Sequence, residues 1–164
     1  MMPRTHPATS EYCPVLPSVE SQTVAFVLAA RAVREIRPSY CVLLEWQGFE
    51  AYLRYHASWQ RGSLGHVGEV VTIARVEVPE AFQNRVWFGR YLQLCHALAG
   101  GGVVIENVFN VHLLDALRSR DFMVELEPHS FFLPRSVPVG VIVDPSPISL
   151  GASLLLRGVP GMKR

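Results

Sequence analysis

The stretch from residue 70 to residue 122 decides the fold. It begins VVTIARVEVPEAFQNRVWFGRYLQLCHAL (70–98) and continues, after Ala99, as GGGVVIENVFNVHLLDALRSRDF (100–122). Strand-forming residues crowd the segment from Val70 to Val78, and proline cannot donate to a sheet ladder. The sequence therefore predicts a buried strand that ends at Pro79.

Two helices and a second strand follow. Apolar residues at steps of three and four predict a helix from about Val86 to Ala99, with one buried face. That face consists of Phe88, Tyr91, Leu92, Cys95 and Leu98. The glycines at 100–102 end this helix, and Val103 to Ile105 form a short strand. Asn110 is the expected N-cap of a further helix, whose buried side carries Val111, Leu114 and Leu117.

A strand–helix–strand unit predicts parallel neighbouring strands joined by a right-handed crossover. Ligands of such sheets bind outside the carboxyl ends of the strands, where helix N-termini expose backbone N–H groups. The turn from Pro79 to Arg85 is therefore the expected ligand site.

The segments on either side complete the domain. The sequence predicts a helix from about Gln22 to Ile36, capped by Ser18 or Ser21, with Val24, Val27, Leu28 and Val33 buried. It also predicts a hairpin of Tyr40–Trp46 and Phe49–Trp59 around Gln47-Gly48, a loop from Arg61 to Gly68, and a closing hairpin of Met123–Glu127 and His129–Leu133.

Prolines mark the ends of the domain. Nine of the twelve prolines lie before residue 18 or after residue 133, which predicts extended arms at 1–19 and 135–164 around a folded core at 20–134. The C-terminal arm is apolar, so its side chains are expected to be buried against another surface. That surface would belong to its own domain, to a second subunit or to a larger assembly.

The central stretch resembles the GNAT (GCN5-related N-acetyltransferase) superfamily. In that family a Gln/Arg-x-x-Gly-x-Gly/Ala signature opens the long helix, and the run Gln83 to Phe88 stands in its place. The family's later run from Asn to Gly-Phe has the spacing of Asn110 to Phe122 here. Val86, Phe88 and Asp121 replace the family's small residues, and Leu117 replaces the tyrosine that protonates the departing thiolate.

The resemblance implies an α/β fold with a GNAT-like mixed central sheet flanked by helices, and acetyl-CoA as the cofactor. It implies coenzyme contacts from Val78, Gln83, Asn84, Arg85, Val86, Trp87 and Asn110. It implies Glu77 as the catalytic base, with Glu106 as a weaker candidate. Parts of the sequence also resemble short acetyltransferase-like proteins of tailed bacteriophages.

Composition limits the classes of partner. The formal net charge is +1, so nucleic acid and anionic membranes are not expected as partners. No apolar run reaches the roughly 18 residues of a membrane span, and the cytoplasm, or a virion for a phage protein, is the expected location. The six histidines show no metal-ligand spacing, so no metal is expected.

Two functions remain open at this point. One is transfer of an acetyl group from acetyl-CoA to a small amine or a protein amine. The other is a GNAT-fold protein without catalysis, which serves as a binding or structural piece such as a bacteriophage virion or assembly component. In both cases the C-terminal arm is expected to mediate self-association or contact with a protein partner.

Overall fold

The computed structural model describes residues 18–83 and 86–138, and the predicted arms lie largely outside these ranges. The described residues form one mixed six-stranded sheet and three α-helices. In chain order the elements are α1 (Val19–Ala32), β1 (Ser39–Trp46), β2 (Phe49–Arg61), β3 (Gly65–Glu77), α2 (Trp87–Leu98), β4 (Gly102–Ile105), α3 (Val111–Arg118), β5 (Val124–Glu127) and β6 (Ser130–Pro134). The predicted α/β class and mixed sheet are confirmed.

The sheet has the strand order β1-β2-β3-β4-β6-β5. Strands β3 and β4 are parallel and are joined through α2, as predicted, whereas the other neighbouring pairs are antiparallel. Gly101 lies where this crossover re-enters the sheet. A Cβ atom there would lie 2.8 Å from the carbonyl oxygen of Glu69, so the glycine permits close contact with β3.

The β1–β2 hairpin follows the prediction. Gln47 and Gly48 form its two-residue turn, and both have positive φ, 47° and 83°. Two positive φ values are required by the type I′ turn, whose twist matches that of the flanking strands.

Helix α1 differs in phase from the prediction. Ser18 caps it by accepting a hydrogen bond from the backbone N–H of Ser21, and the helix begins at Val19 rather than near Gln22. Its buried stripe consists of Val19, Glu20, Thr23, Val27 and Ala30. The prediction that Leu28 is buried is wrong, because Leu28 lies outside this stripe and is 52% exposed.

The segment predicted as a loop from Arg61 to Gly68 is mostly strand. A 3₁₀ turn at Gly62–Leu64 links β2 directly to β3, which begins at Gly65. The pairing of β2 with β3 is irregular on both sides of Trp59, which pairs with Gly68. Such a bulge adds twist without ending a strand.

The two faces of the sheet differ. Buried apolar side chains of all three helices join one large core with Leu53, Ile73 and other residues of one face. The opposite face carries a smaller cluster of Val70, Val104 and Phe132, which includes no residue of the described helices. We call this opposite face the uncovered face.

Candidate functional site

A cavity of about 960 Å³ lies at the carboxyl ends of β3 and β4. This is the position that the strand–helix–strand unit predicts for a ligand. Its walls come from β2, β3, the loop after β3, the N-terminal half of α2, the segment after β4, and α3. They include Tyr52, Arg54, Ala74, Arg75, Val78, Gln83, Val86, Phe88, Gly89, Leu92, Glu106, Asn107, Asn110, Leu113 and Leu117.

The cavity exists because β3 and β4 separate. Their ladder ends at the pair Ile73 and Ile105, and the pairing of β3 with β2 skips Ala74. The side chain of Asn107 then donates to the carbonyl of Ala74 at 3.1 Å. Asn107 has a φ of +56°, a left-handed conformation that asparagine tolerates better than most residues.

The gap lets the cavity reach both faces of the sheet. Arg54 is paired with Thr72 and Tyr52 with Arg75 across β2 and β3, so these side chains share the uncovered face. Phe88 and Leu92 of α2 line the cavity from the face that carries the helices. The cavity therefore has one end near α2 and the other at the uncovered face.

The N-terminus of α2 forms part of the wall without a side-chain cap. Val86 is the N-cap residue, and its apolar side chain cannot accept a hydrogen bond from the first N–H groups of the helix. It has a φ of +45° and is 39% exposed, although a β-branched residue rarely adopts this left-handed conformation. The first N–H groups of the helix and its dipole provide a site for an anion.

The loop before α2 is held by Gln83. Its side-chain amide donates to the carbonyl of Val78 at 2.9 Å, so these two predicted coenzyme contacts also bind each other. Asn84 and Arg85, two more of the predicted contacts, lie outside the described residues. Val86 lines the cavity with its side chain at the entrance to α2.

Trp87 is a core residue. Its side chain is 3% exposed and donates through Nε1 to Glu20 Oε1 at 2.9 Å. Its ring stacks on Tyr91 with the centroids 4.9 Å apart. Trp87 therefore anchors the start of α2.

The two predicted carboxylates occupy different places. Glu106 lines the cavity and forms an ion pair with Arg54. Glu77 does not line the cavity and is half exposed in an ion pair with Arg75. Glu106, the weaker sequence candidate, is thus the carboxylate that lies in the cavity wall.

Arg54 was not expected from the sequence. It lies in a half-buried position on β2, and its Nε atom is buried without a hydrogen-bond partner among the described residues. Burial and then the charge of Arg54 lower the pKa of neighbouring His56, so this histidine is predominantly neutral at pH 7. Alternation along β2 places both on the uncovered face, but it does not by itself indicate a site.

Asn110 is the N-cap of α3, as predicted, and accepts the backbone N–H of Leu113 at 3.0 Å. Leu117 is buried in the core and lines the cavity. Val111, which was predicted to be buried, is 64% exposed. That prediction is wrong because the buried side of this eight-residue helix consists of Leu114 and Leu117.

Metal ligands do not gather in the described part of the chain, where no three His, Cys, Asp or Glu side chains could hold one ion. None of the helices in 18–83 and 86–138 is long and apolar enough to cross a bilayer.

Comparisons with known proteins do not show a family for this chain. No protein-family model matches the chain, and no curated protein matches it significantly. It is similar to a solved structure described as "The crystal structure of KacTA-DNA complex", with 14% identity, a TM-score of 0.39, and coverage of 79% of this chain and 89% of that chain. Because that structure contains DNA, the expectation that nucleic acid is not a partner is contradicted and is withdrawn. The likeness carries no further argument.

Proposed function

We propose that this chain is a GNAT-like N-acetyltransferase that binds acetyl-CoA in the cavity between β3 and β4 and acetylates an amine. The observation that carries the proposal is the cavity itself, about 960 Å³ in volume, with the uncapped N-terminus of α2 in its wall. Cofactor sites are typically roughly 300–1,000 Å³, so the volume suits a large cofactor. Such a site beside Gln83 to Trp87 is what a transferase requires.

The topology supports the same proposal. A helix, an antiparallel hairpin, a long strand, a helix, a parallel strand, a helix and a closing hairpin follow one another along the chain. This is the element order that the resemblance to the GNAT superfamily implies.

The cavity walls suit the parts of the coenzyme. The backbone N–H groups at the start of α2 would hold the pyrophosphate, since they depend on helix geometry rather than on side-chain identity. Gly89 adds no side chain to this wall, and among the described residues a Cβ there would meet only Val86, at 3.9 Å. Leu92, Leu113 and Leu117 provide an apolar wall for the pantetheine arm. Bound acetyl-CoA would supply an activated thioester carbonyl.

Glu106 is the better-placed proton acceptor because it lines the cavity, while Glu77 stays a candidate only if a substrate reaches beyond the cavity mouth. Leu117 cannot donate a proton, so this chain would lack the family's tyrosine acid at that position.

The alternative is a GNAT-fold protein that binds without catalysis, such as a bacteriophage virion or assembly component. Two observations favour it. Leu117 is buried where the family has its acid, and the side chain of Val86 lies at the entrance to α2 where the family has a glycine.

Calorimetric titration of the purified chain with acetyl-CoA, and separately with coenzyme A, tests the proposal. We expect saturable binding at micromolar affinity, followed by thiol release when an accepted amine is added. Binding without thiol release for any amine in a broad panel would favour the non-catalytic alternative. A folded chain that binds neither compound would overturn the proposal.

A further inference from the structure

We infer that the end of the cavity on the uncovered face takes an acceptor in which a primary amine is joined by a short chain to a carboxylate. This inference rests on the proposed function, since it names the class of amine. It is argued from the residues that line that end, namely Tyr52, Arg54, Arg75 and Glu106.

The first step is the position of Arg54. It shares the uncovered face with Tyr52, whereas the N-terminus of α2 is packed on the face that carries the helices. An anion that Arg54 binds is therefore separate from the phosphates that the start of α2 would hold. It belongs to the second ligand, the acceptor.

The second step is the unused donor capacity of Arg54. A guanidinium has five N–H donors in a fixed fork. Among the described residues only Nη2 has a partner, Glu106, while Nε is buried without one, so the capacity open to a ligand lies at the two Nη atoms. The side chain is 36% exposed, so part of the guanidinium faces the open cavity. An arginine in this state recognises planar anions such as carboxylates.

The third step is that the other arginine on this wall, Arg75, already has two carboxylates beside it, whereas Arg54 has one. Arg75 binds Glu77 and lies 3.6 Å from Glu50. Arg54 and Glu106 thus remain as one cation and one anion side by side on the cavity wall. A ligand with opposite charges of its own complements them, its carboxylate on Arg54 and its amine near Glu106.

NMR titration of the uniformly labelled full chain tests the inference with amino acid probes of increasing chain length and with two single-charge controls that share the four-carbon chain of 4-aminobutyrate. The amino acid probes are glycine, β-alanine, 4-aminobutyrate and 6-aminohexanoate. Butylamine lacks the carboxylate and butyrate lacks the amine. We expect at least one amino acid probe to bind about tenfold more tightly than butylamine and butyrate, as two charge-assisted contacts would allow.

Arg54→Gln should abolish this preference. Arg61→Gln is the matched control, because Arg61 lies on the same strand, is 35% exposed and is paired with Glu127, but does not line the cavity. It should retain the wild-type preference. If Arg54→Gln does not fold, Glu106→Gln serves instead, and it should strengthen butyrate binding about threefold by releasing Arg54 from its partner.

Three results would overturn the inference: equal binding of butylamine and the amino acid probes, a preference that survives Arg54→Gln, or no binding of any probe to the folded chain. Titration of the same samples with acetyl-CoA separates the two proposals. If acetyl-CoA binds and no probe does, only the acceptor class is wrong.

Discussion

The two ends of β3 use polar residues in opposite ways. Near its start, Glu69 accepts hydrogen bonds from Arg31, from Tyr55 at 2.8 Å and from the backbone N–H of Gly100 at 3.1 Å. We call these four residues the Glu69 junction. At the other end, the cavity wall contains an arginine whose Nε has no partner among the described residues, a left-handed valine and a helix without a side-chain cap.

The difference teaches where stability and binding reside. The Glu69 junction joins α1, β2, β3 and the end of α2, and its polar groups satisfy one another, so it stabilises the fold. The cavity end leaves donors unused and backbone strained, as ligand sites commonly do. Substitutions at one end should therefore change the free energy of unfolding, and substitutions at the other should change binding.

The largest effect is expected for Glu69→Ala. Glu69 is 10% exposed, and its removal leaves Arg31 and Tyr55 without their shared partner. The free energy of unfolding should fall by about 3 kcal/mol, measured by urea denaturation. Coenzyme affinity should stay unchanged. Glu125→Ala removes an exposed ion pair with Arg118 and, as the control, should leave the urea midpoint where it is.

The same junction predicts a pH dependence. Burial raises the pKa of Glu69, but hydrogen bonds from Arg31, Tyr55 and Gly100 outweigh burial and lower the pKa overall. A carboxylate with a lowered folded-state pKa stabilises the protein above its unfolded pKa of about 4.3, and this contribution is lost as the pH falls through the folded value. The difference in unfolding free energy between wild type and Glu69→Gln should be constant from about pH 6 to pH 8 and shrink in acid. A difference that persists unchanged into strong acid would argue against the ionised junction.

Trp87→Phe should have an intermediate effect. It removes the indole donor from the buried carboxylate of Glu20 and should cost about 2 kcal/mol. In a Glu20→Gln background the same substitution should cost less, since no buried charge is left unpaired. Equal costs in both backgrounds would show that packing of the ring, rather than the hydrogen bond, anchors α2.

Val86→Gly should have the smallest effect on the free energy of unfolding, and it should raise this free energy, whereas the substitutions above lower it. Glycine relieves the positive φ of this residue, which should raise the unfolding free energy by about 0.5–1 kcal/mol after the entropic cost of glycine. Removing the side chain from the entrance to α2 should also tighten coenzyme binding. Val86→Ala keeps the positive φ problem and should gain no stability.

The sequence predicted the parts of the molecule that depend on local patterns. Examples are the Gln47-Gly48 turn, the Asn110 cap and the parallel strands around α2. It did not predict the Glu69 junction, because Arg31 and Glu69 are 38 positions apart and each, taken alone, fits a solvated surface.

The sequence predicted at which edge of the sheet the cavity lies, but not which carboxylate lines it. Both Glu77 and Glu106 lie at or just beyond a strand end, and which of them lines the cavity depends on where β3 and β4 separate. That point is set by the skipped pairing at Ala74 and by the Asn107 contact. Val86 in a left-handed conformation also escapes prediction, because a valine gives no signal for positive φ.

The most direct test of the central claim compares Gly89→Glu with Gly89→Gln by calorimetric titration with coenzyme A. Both side chains are of similar size, and a Cβ at this position in the first turn of α2 makes an ordinary contact with Val86. An acidic residue is also compatible with a helix N-terminus. If the start of α2 holds the pyrophosphate, Gly89→Glu should weaken coenzyme binding at least about tenfold relative to Gly89→Gln through charge repulsion. Equal affinities in two folded variants would contradict the account.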